Sequence, residues 1–229
     1  MRKLLVFTEN YARGGGNRYL IDTVNAVADQ YNQITLVSNP GGVYPEDLRR
    51  LTHDVSLGNL NIITKARIMQ IISRMPPLLQ HLTGLLASAC EPLLFLYNFC
   101  LGVILLLREK PTAVLCCNGG YPGARATLSV VIAAGALKIP AALSIVSMPM
   151  PRKKVLLAYQ TWIDRLVGRA AKAIIVNASS ISTALQSLRN FPHNKLHVVY
   201  NGIEAATGRS SGGTGEKPSH SPDTQIVGC

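Results

Sequence analysis

At 229 residues and 48% hydrophobic, the chain is long and apolar enough to bury one sizeable core, arranged as one domain or two small ones. Its five cysteines (Cys90, Cys100, Cys116, Cys117, Cys229) are odd in number, include an adjacent pair and lack C-x-x-C spacing, so they support neither a disulfide framework nor a zinc site. The formal net charge of +11 implies an anionic partner, and because the cations lie beside apolar sequence with few aromatics interleaved, they favour membrane and phosphate over nucleic acid.

The opening MRKLLVFTEN has no long apolar core before its first acidic residue, and Lys3–Phe7 reads as a strand, so a reducing, cytosolic setting is expected. The Asn177-Ala178-Ser179 sequon would then go unused. A polar loop containing Gly14, Gly15 and Gly16 follows, then a helix whose Leu20, Val24, Val27 and Ala28 share one face. Ile34–Val37 is the second strand. Asn39–Gly42 turns the chain into a short helix around Glu46–Arg50, and Val55–Ile63 contains a third strand.

Between Arg74 and Arg108 the only formal charge is Glu91, and Leu85–Leu107 is an almost unbroken apolar run, long enough to cross a bilayer. Glu91 and Pro92 inside it argue against a span. Three readings stay open: a helix dipping into one leaflet, a plain core helix, or a span.

Ala113–Cys117 resumes the strands, Asn118–Gly123 reads as a glycine-rich turn, and Ala124–Ala136 as a small-residue helix. Ala141–Val146 is the next strand. Met148–Pro151 is a proline-fixed loop, and Lys154–Ala171 a basic amphipathic helix. Ala173–Val176 forms a strand, Asn177 or Ser179 caps the helix after it, and Leu196–Tyr200 alternates as another strand before Asn201-Gly202. The order is that of a Rossmann-like α/β unit, a parallel sheet flanked by helices. Gly/Ser/Pro-rich sequence follows Ala205, and Gln225–Gly228 reads as a strand start.

Three stretches resemble the N-terminal domain of a GT-B glycosyltransferase of the family 4 type: Gly14–Arg18, Asp164-Arg165 through Ala171-Lys172 to Val176–Ser179, and above all KLHVVYNGIE at Lys195–Glu204. The resemblance covers about residues 1–204. It implies transfer of a sugar from a nucleotide-diphosphate-sugar to a lipid-linked or polysaccharide acceptor, with retention. It implies no cofactor beyond that co-substrate. Where the family often carries a histidine on a strand, the best positional match is Ser147. The two donor-holding glutamates of the family's C-terminal domain have no counterpart here, so a separate or missing donor domain is expected and the chain alone is expected to be inactive. The expected layout is an acceptor-side domain at 1–204 with an apolar, membrane-associated helix at 78–107, a flexible linker at 205–224, and the start of a second domain at 225–229.

Glycines before a helix let backbone N–H groups approach phosphate oxygens, and the helix dipole favours negative charge. Gly14, Gly15 and Gly16 are therefore candidates for the donor diphosphate, with Arg18 adding a charged fork to the leaving pyrophosphate, or else lying solvated at the surface. Asn118, Gly119, Gly120 and Tyr121 follow a strand end and are candidates for the acceptor side, as is Ser147; a structural turn explains the first four equally well. The nearby Met148 and Met150 read as packing or membrane contact. Asn201 and Gly202 would line an interdomain cleft. Arg152, Lys153, Lys154, Arg165, Arg169 and Lys172 would face an anionic membrane surface, placing the protein peripherally or monotopically on the inner face of the membrane.

No catalytic residue is assigned. His193 and His197 share no helix face and make a poor metal pair, and no Ser-His-Asp or Cys-His arrangement is defensible. Two other classes remain: a non-catalytic anchoring or acceptor-binding subunit that recruits a separate donor domain, and a Rossmann-type cofactor-binding module. The second lacks strict G-x-G-x-x-G spacing and the acidic residue expected about 20 positions on.

Overall fold

The computed structural model describes residues 2–11, 14–43, 45–74 and 76–201. Gly202, the linker expected at 205–224 and the strand expected at 225–229 lie outside them. The strands are β1 (Lys3–Thr8), β2 (Gln33–Ser38), β3 (Ser56–Asn59), β4 (Ala113–Gly120), β5 (Ala141–Ser147), β6 (Ala173–Val176) and β7 (Leu196–Val198). They form one sheet in the order β3-β2-β1-β4-β5-β6-β7, every neighbouring pair parallel. From β1 the chain winds outward to β2 and β3, then returns to β4 and winds the other way. The order reverses between β1 and β4, and ligands of such sheets sit in the crevice beyond the strand ends at that point.

The helices are α1 (Gly15–Val27), α2 (Pro45–Leu48), α3 (Lys65–Ile72), α4 (Pro77–Ala89), α5 (Glu91–Glu109), α6 (Arg125–Ala136), α7 (Leu157–Ala170) and α8 (Ser179–Arg189). Because both faces of the central strands are covered, β1 and β2 read as continuous apolar runs. Alternate residues serve opposite cores. Phe7, Cys116 and Leu143 pack with Phe95, Leu106, Val130 and Val167 from α5, α6 and α7, whereas Val6, Leu36 and Cys117 pack with Leu20 and Val24 of α1. The adjacent cysteines are thus buried, free thiols on either side of one strand.

The helix layer is tight. A Cβ on Gly135 of α6 would lie 2.6 Å from the Ala170 Cβ of α7, and one on Gly102 of α5 would lie 3.3 Å from a Val130 methyl of α6. Larger side chains at these two places would push the helices apart.

Three local expectations are corrected. β4 runs on through Gly120, pairing Asn118 with Ile145 and Gly120 with Ser147, so the turn begins only at Tyr121. The helix expected at 78–107 is two helices, α4 and α5, that part at Cys90. Pro92 explains the break, since its ring and missing N–H fit the first turn of a helix but not its interior. Neither Asn177 nor Ser179 caps α8: the N-cap is Ala178 and no side chain bonds its free amides.

Candidate functional site

The loops beyond β1, β2 and β4 meet at the switch point. Asn10, two residues past β1, and Asn39, directly past β2, bond reciprocally: Asn10 N–H donates to Asn39 Oδ1 at 2.8 Å, and Asn39 Nδ2 donates to the Asn10 carbonyl at 2.9 Å. Asn10 Nδ2 also reaches the Gly42 carbonyl and the Asn17 side chain in the first turn of α1. The glycine loop therefore enters α1 from an anchored stem.

Gly14 is the N-cap of α1 in extended backbone, with no side-chain cap and no acidic residue in the first turn. A Cβ at Gly14, Gly15 or Gly16 would meet nothing within 4 Å. The fold does not need glycine at these positions. What glycine provides is bare, exposed N–H groups at the positive end of a helix of 13 residues. Arg18 lies exposed in the same turn, with its Nε 3.7 Å from Asp22.

On the other side of the crevice, the start of α6 is held by one residue near in sequence and one far from it. Asn118 Oδ1 accepts from Ala124 N–H at 3.2 Å, and Glu9 Oε2 accepts from Ala126 N–H at 2.9 Å. Burial of Glu9 outweighs that hydrogen bond and the nearby Arg125, and pushes its carboxyl up to about 7. Asn118 is buried, and its Nδ2 finds no partner among the described residues. Ser147 Oγ donates to the Gly119 carbonyl at 2.8 Å, and a Cβ on Gly120 would press on that hydroxyl at 2.9 Å. The candidates Asn118, Gly119, Gly120 and Ser147 thus come together at the ends of β4 and β5.

Tyr121 does not join them. It is fully buried, and its hydroxyl donates to Asp164 Oδ1 at 2.7 Å while its ring meets Phe191 edge-on at 5.2 Å. Arg152 also departs from expectation: with only 13% of its side chain exposed it lies inside, donating from Nε to Asp164 Oδ2 at 2.8 Å and from Nη2 to the Arg189 carbonyl at 2.6 Å. Buried Arg189 completes the knot, with Nε on the Met150 carbonyl at 2.8 Å and its guanidinium 5.3 Å from the Tyr121 ring centre. Lys153, Lys154, Arg165, Arg169 and Lys172 are exposed, as is Asn201 at the end of the described chain.

Arg125, at the first position of α6, pairs with buried Glu91 of α5. Burial lowers its pKa, with Tyr159 and Glu9 acting the other way and Arg189 adding to the fall. Across the crevice, Thr64 Oγ1 at the start of α3 donates to the Tyr11 hydroxyl at 2.6 Å. Glu9, Asn10, Asn39 and Arg125 were missed by sequence reasoning. The signal available for Glu9 and Asn10 was position alone, as the first residues past the central strand. Among the described residues, no three His, Cys, Asp or Glu side chains converge as metal ligands do.

The family model for Glycosyltransferase Family 4 matches residues 13–207. Among solved structures, a glycosyltransferase from Rickettsia africae ESF-5 is similar with a TM-score of 0.55 at 12% identity, over 88% of this chain and 43% of that one. UDP-GlcNAc 2-epimerase from Neisseria meningitidis, bound to UDP-GlcNAc, gives 0.48 at 16% identity over 86% and 46%. A UGT transferase from Siraitia grosvenorii, in complex with UDP, gives 0.47 at 11% identity over 86% and 51%. The chain therefore spans about half or less of each of these proteins, and at 12% identity the likeness to the Rickettsia africae protein speaks for a shared fold alone. No curated protein matches it.

Proposed function

The chain belongs to Glycosyltransferase Family 4, and from that premise we propose that it is the acceptor-side half of an enzyme that moves a sugar from a nucleotide-diphosphate-sugar to a lipid-linked or polysaccharide hydroxyl at the inner face of a membrane. The observation that carries this reading is the open N-terminus of α1, whose glycines leave amides bare at the switch point of the sheet.

Sugar transfer builds negative charge on the departing diphosphate. Fixed N–H dipoles aimed at that charge lower the barrier because they need no reorganisation as it grows. In this reading the Gly14–Gly16 amides supply those dipoles, and Arg18, free to leave its weak contact with Asp22, adds a charge. Asn118, Gly119 and Ser147 bound the acceptor side, where the unpaired Asn118 Nδ2 gains a partner when an acceptor oxygen arrives. In this reading Asn201 and Gly202 would line the cleft toward a donor domain that brings the nucleotide.

The test is titration of the purified chain with a panel of nucleoside-diphosphate sugars, with NAD and NADP alongside, followed by sugar-transfer assays on membrane lipid extracts in the presence of a family donor domain. Selective binding of sugar nucleotides and transfer on reconstitution support the proposal. Binding of a nicotinamide cofactor alone would replace it with a Rossmann-type cofactor module. Lipid binding without sugar nucleotides or transfer would leave an anchoring subunit.

A further inference from the structure

α5 is apolar all round, and its two sides do different things. Inward, Phe95, Leu105 and Leu106 enter the core, Gly102 lies against Val130 and Ala133, and Asn98 bonds the Ile63 backbone twice, its Nδ2 donating to the carbonyl at 2.7 Å and its Oδ1 accepting from the amide at 3.1 Å. Outward, Leu93, Leu96, Cys100, Ile104 and Leu107 follow one another at helical spacing, and the four aliphatic side chains among them are each more than half exposed. Glu91, the only formal charge between Arg74 and Arg108, turns inward to Arg125, so this exposed stripe carries no charge. Contiguous exposed apolar surface of this kind marks an interaction site.

The neighbouring helices identify what it meets. α6 packs between α5 and α7, and α7 presents Trp162, Arg165 and Arg169 on its own exposed side, three and four residues apart. An aliphatic stripe beside a tryptophan and two arginines is the pattern of a surface that inserts leucines at the acyl boundary and sets its cations on anionic headgroups. A second copy of the chain is a poorer occupant, because face-to-face contact would bring like-charged arginine rows together on a protein of formal charge +11.

We infer that the outer side of the α5–α6–α7 layer docks on an anionic phospholipid leaflet with α5 lying in the plane of the interface, an inference that rests on the membrane-associated part of the proposed function. By length, 19 residues at mean hydropathy 1.6, α5 could span a bilayer. Its ends prevent it: Glu91 is tied to Arg125 at the C-terminal edge of the sheet, and Glu109 to Lys3 at the N-terminal edge, 2.7 Å away. A spanning α5 would break both pairs, free the Asn98 bonds and bare the α6 core. Because α5 runs the full height of the sheet between those ties, flat docking lays the strands parallel to the membrane. The switch-point crevice then opens sideways along the headgroup plane, where the hydroxyl of a lipid-linked acceptor would travel.

The test is sedimentation of the full chain with phosphatidylcholine vesicles and with vesicles containing phosphatidylglycerol. The wild type should bind the anionic vesicles and release with rising salt. Leu96→Gln/Ile104→Gln should weaken binding by about tenfold or more, and Arg165→Gln/Arg169→Gln should abolish the preference for anionic lipid, with melting temperature and sugar-nucleotide affinity unchanged. If the first pair costs the fold, Leu93→Gln/Leu107→Gln takes its place. Cys100 should lose reactivity toward a water-soluble maleimide, mapped by mass spectrometry, when anionic vesicles are added. Undiminished binding by either aliphatic variant, equal binding to neutral vesicles, or a stripe-dependent dimer that ignores lipid would overturn the inference. Failure to bind sugar nucleotides while lipid docking persists would overturn the transferase reading alone.

Discussion

Tyr121 and Asp164 lie 43 residues apart, yet the tyrosine hydroxyl donates to Asp164 Oδ1 at 2.7 Å in a fully buried contact that holds the loop after β4 onto α7. The other carboxylate oxygen takes Arg152 Nε at 2.8 Å and Arg189 Nη1 at 3.4 Å. One carboxylate therefore balances two guanidinium groups with little access to water. Asp164→Asn keeps the shape and removes the charge, leaving both arginines uncompensated, which costs about 3–5 kcal/mol. Urea unfolding should show that loss, while Lys154→Gln at the exposed start of the same segment should stay within about 0.5 kcal/mol of wild type. Equal stability of the two variants would refute the network.

The carboxyl of Glu9 makes folding depend on pH in an unusual direction. Its folded pKa of about 7 lies above the ordinary 4.5, so between those values the native state holds a proton that the unfolded chain has lost. Stability contributed by this group is therefore highest in acid and falls as pH rises from about 4.5 to 7, by about 3 kcal/mol in all. Glu9→Gln retains an oxygen for the Ala126 amide and cannot ionise. The variant should match wild type in melting temperature at pH 4 and exceed it at pH 8. A constant difference across that range would mean that Glu9 titrates normally.

Much of the sheet was legible because buried parallel strands are short apolar runs, and Lys3–Phe7, Ile34–Val37, Ala141–Val146 and Ala173–Val176 each differ from the observed strands by no more than a residue at either end. The glycine stretch reads as a loop before the first helix, whereas only Gly14 precedes it as the N-cap and Gly15 and Gly16 already belong to α1. What escaped was decided by contacts across long separations. Glu9 and Ala126 are 117 residues apart, and no local pattern announces that a carboxylate past β1 will cap α6. Arg152 reads as part of a basic cluster with Lys153 and Lys154, and only the approach of α7 and α8 shows that it has a buried counter-charge. Tyr121 was misplaced for a related reason: β4 continues two residues past the polar Asn118 because Gly120 can pair against Ser147.

Lys195, the first residue of the KLHVVYNGIE stretch, secures the end of α7. Its Nζ donates to the carbonyls of Gly168 at 2.6 Å, Arg169 at 3.2 Å and Ala171 at 2.8 Å, meeting the negative end of the helix with a charge. Burial and the nearby Lys172 lower its pKa, but the three carbonyls favour the charged form. Lys195→Met keeps the aliphatic stem and should lose about 1–2 kcal/mol of stability. Hydrogen exchange should quicken at the last turn of α7 before it does elsewhere. Unaltered exchange there would mean that water serves those carbonyls equally well.

The glycine loop offers the sharpest separation of function from folding. A Cβ at Gly15 meets nothing within 4 Å, and the position is the first of a helix, where glycine is a poor choice for stability. Gly15→Leu should therefore leave the melting temperature equal or slightly higher. In the same variant the side chain would stand over the amides that the proposed function assigns to the diphosphate. Removing one preorganised donor from a developing anion costs about 2.7–4 kcal/mol in other enzymes, so turnover in the reconstituted transferase should fall by about a hundredfold or more. Gly15→Ala, whose methyl group clears the amides, should lose far less. If the leucine variant turns over as fast as wild type, the loop does not hold phosphate, and the bare N-terminus of α1 has no part in the transfer.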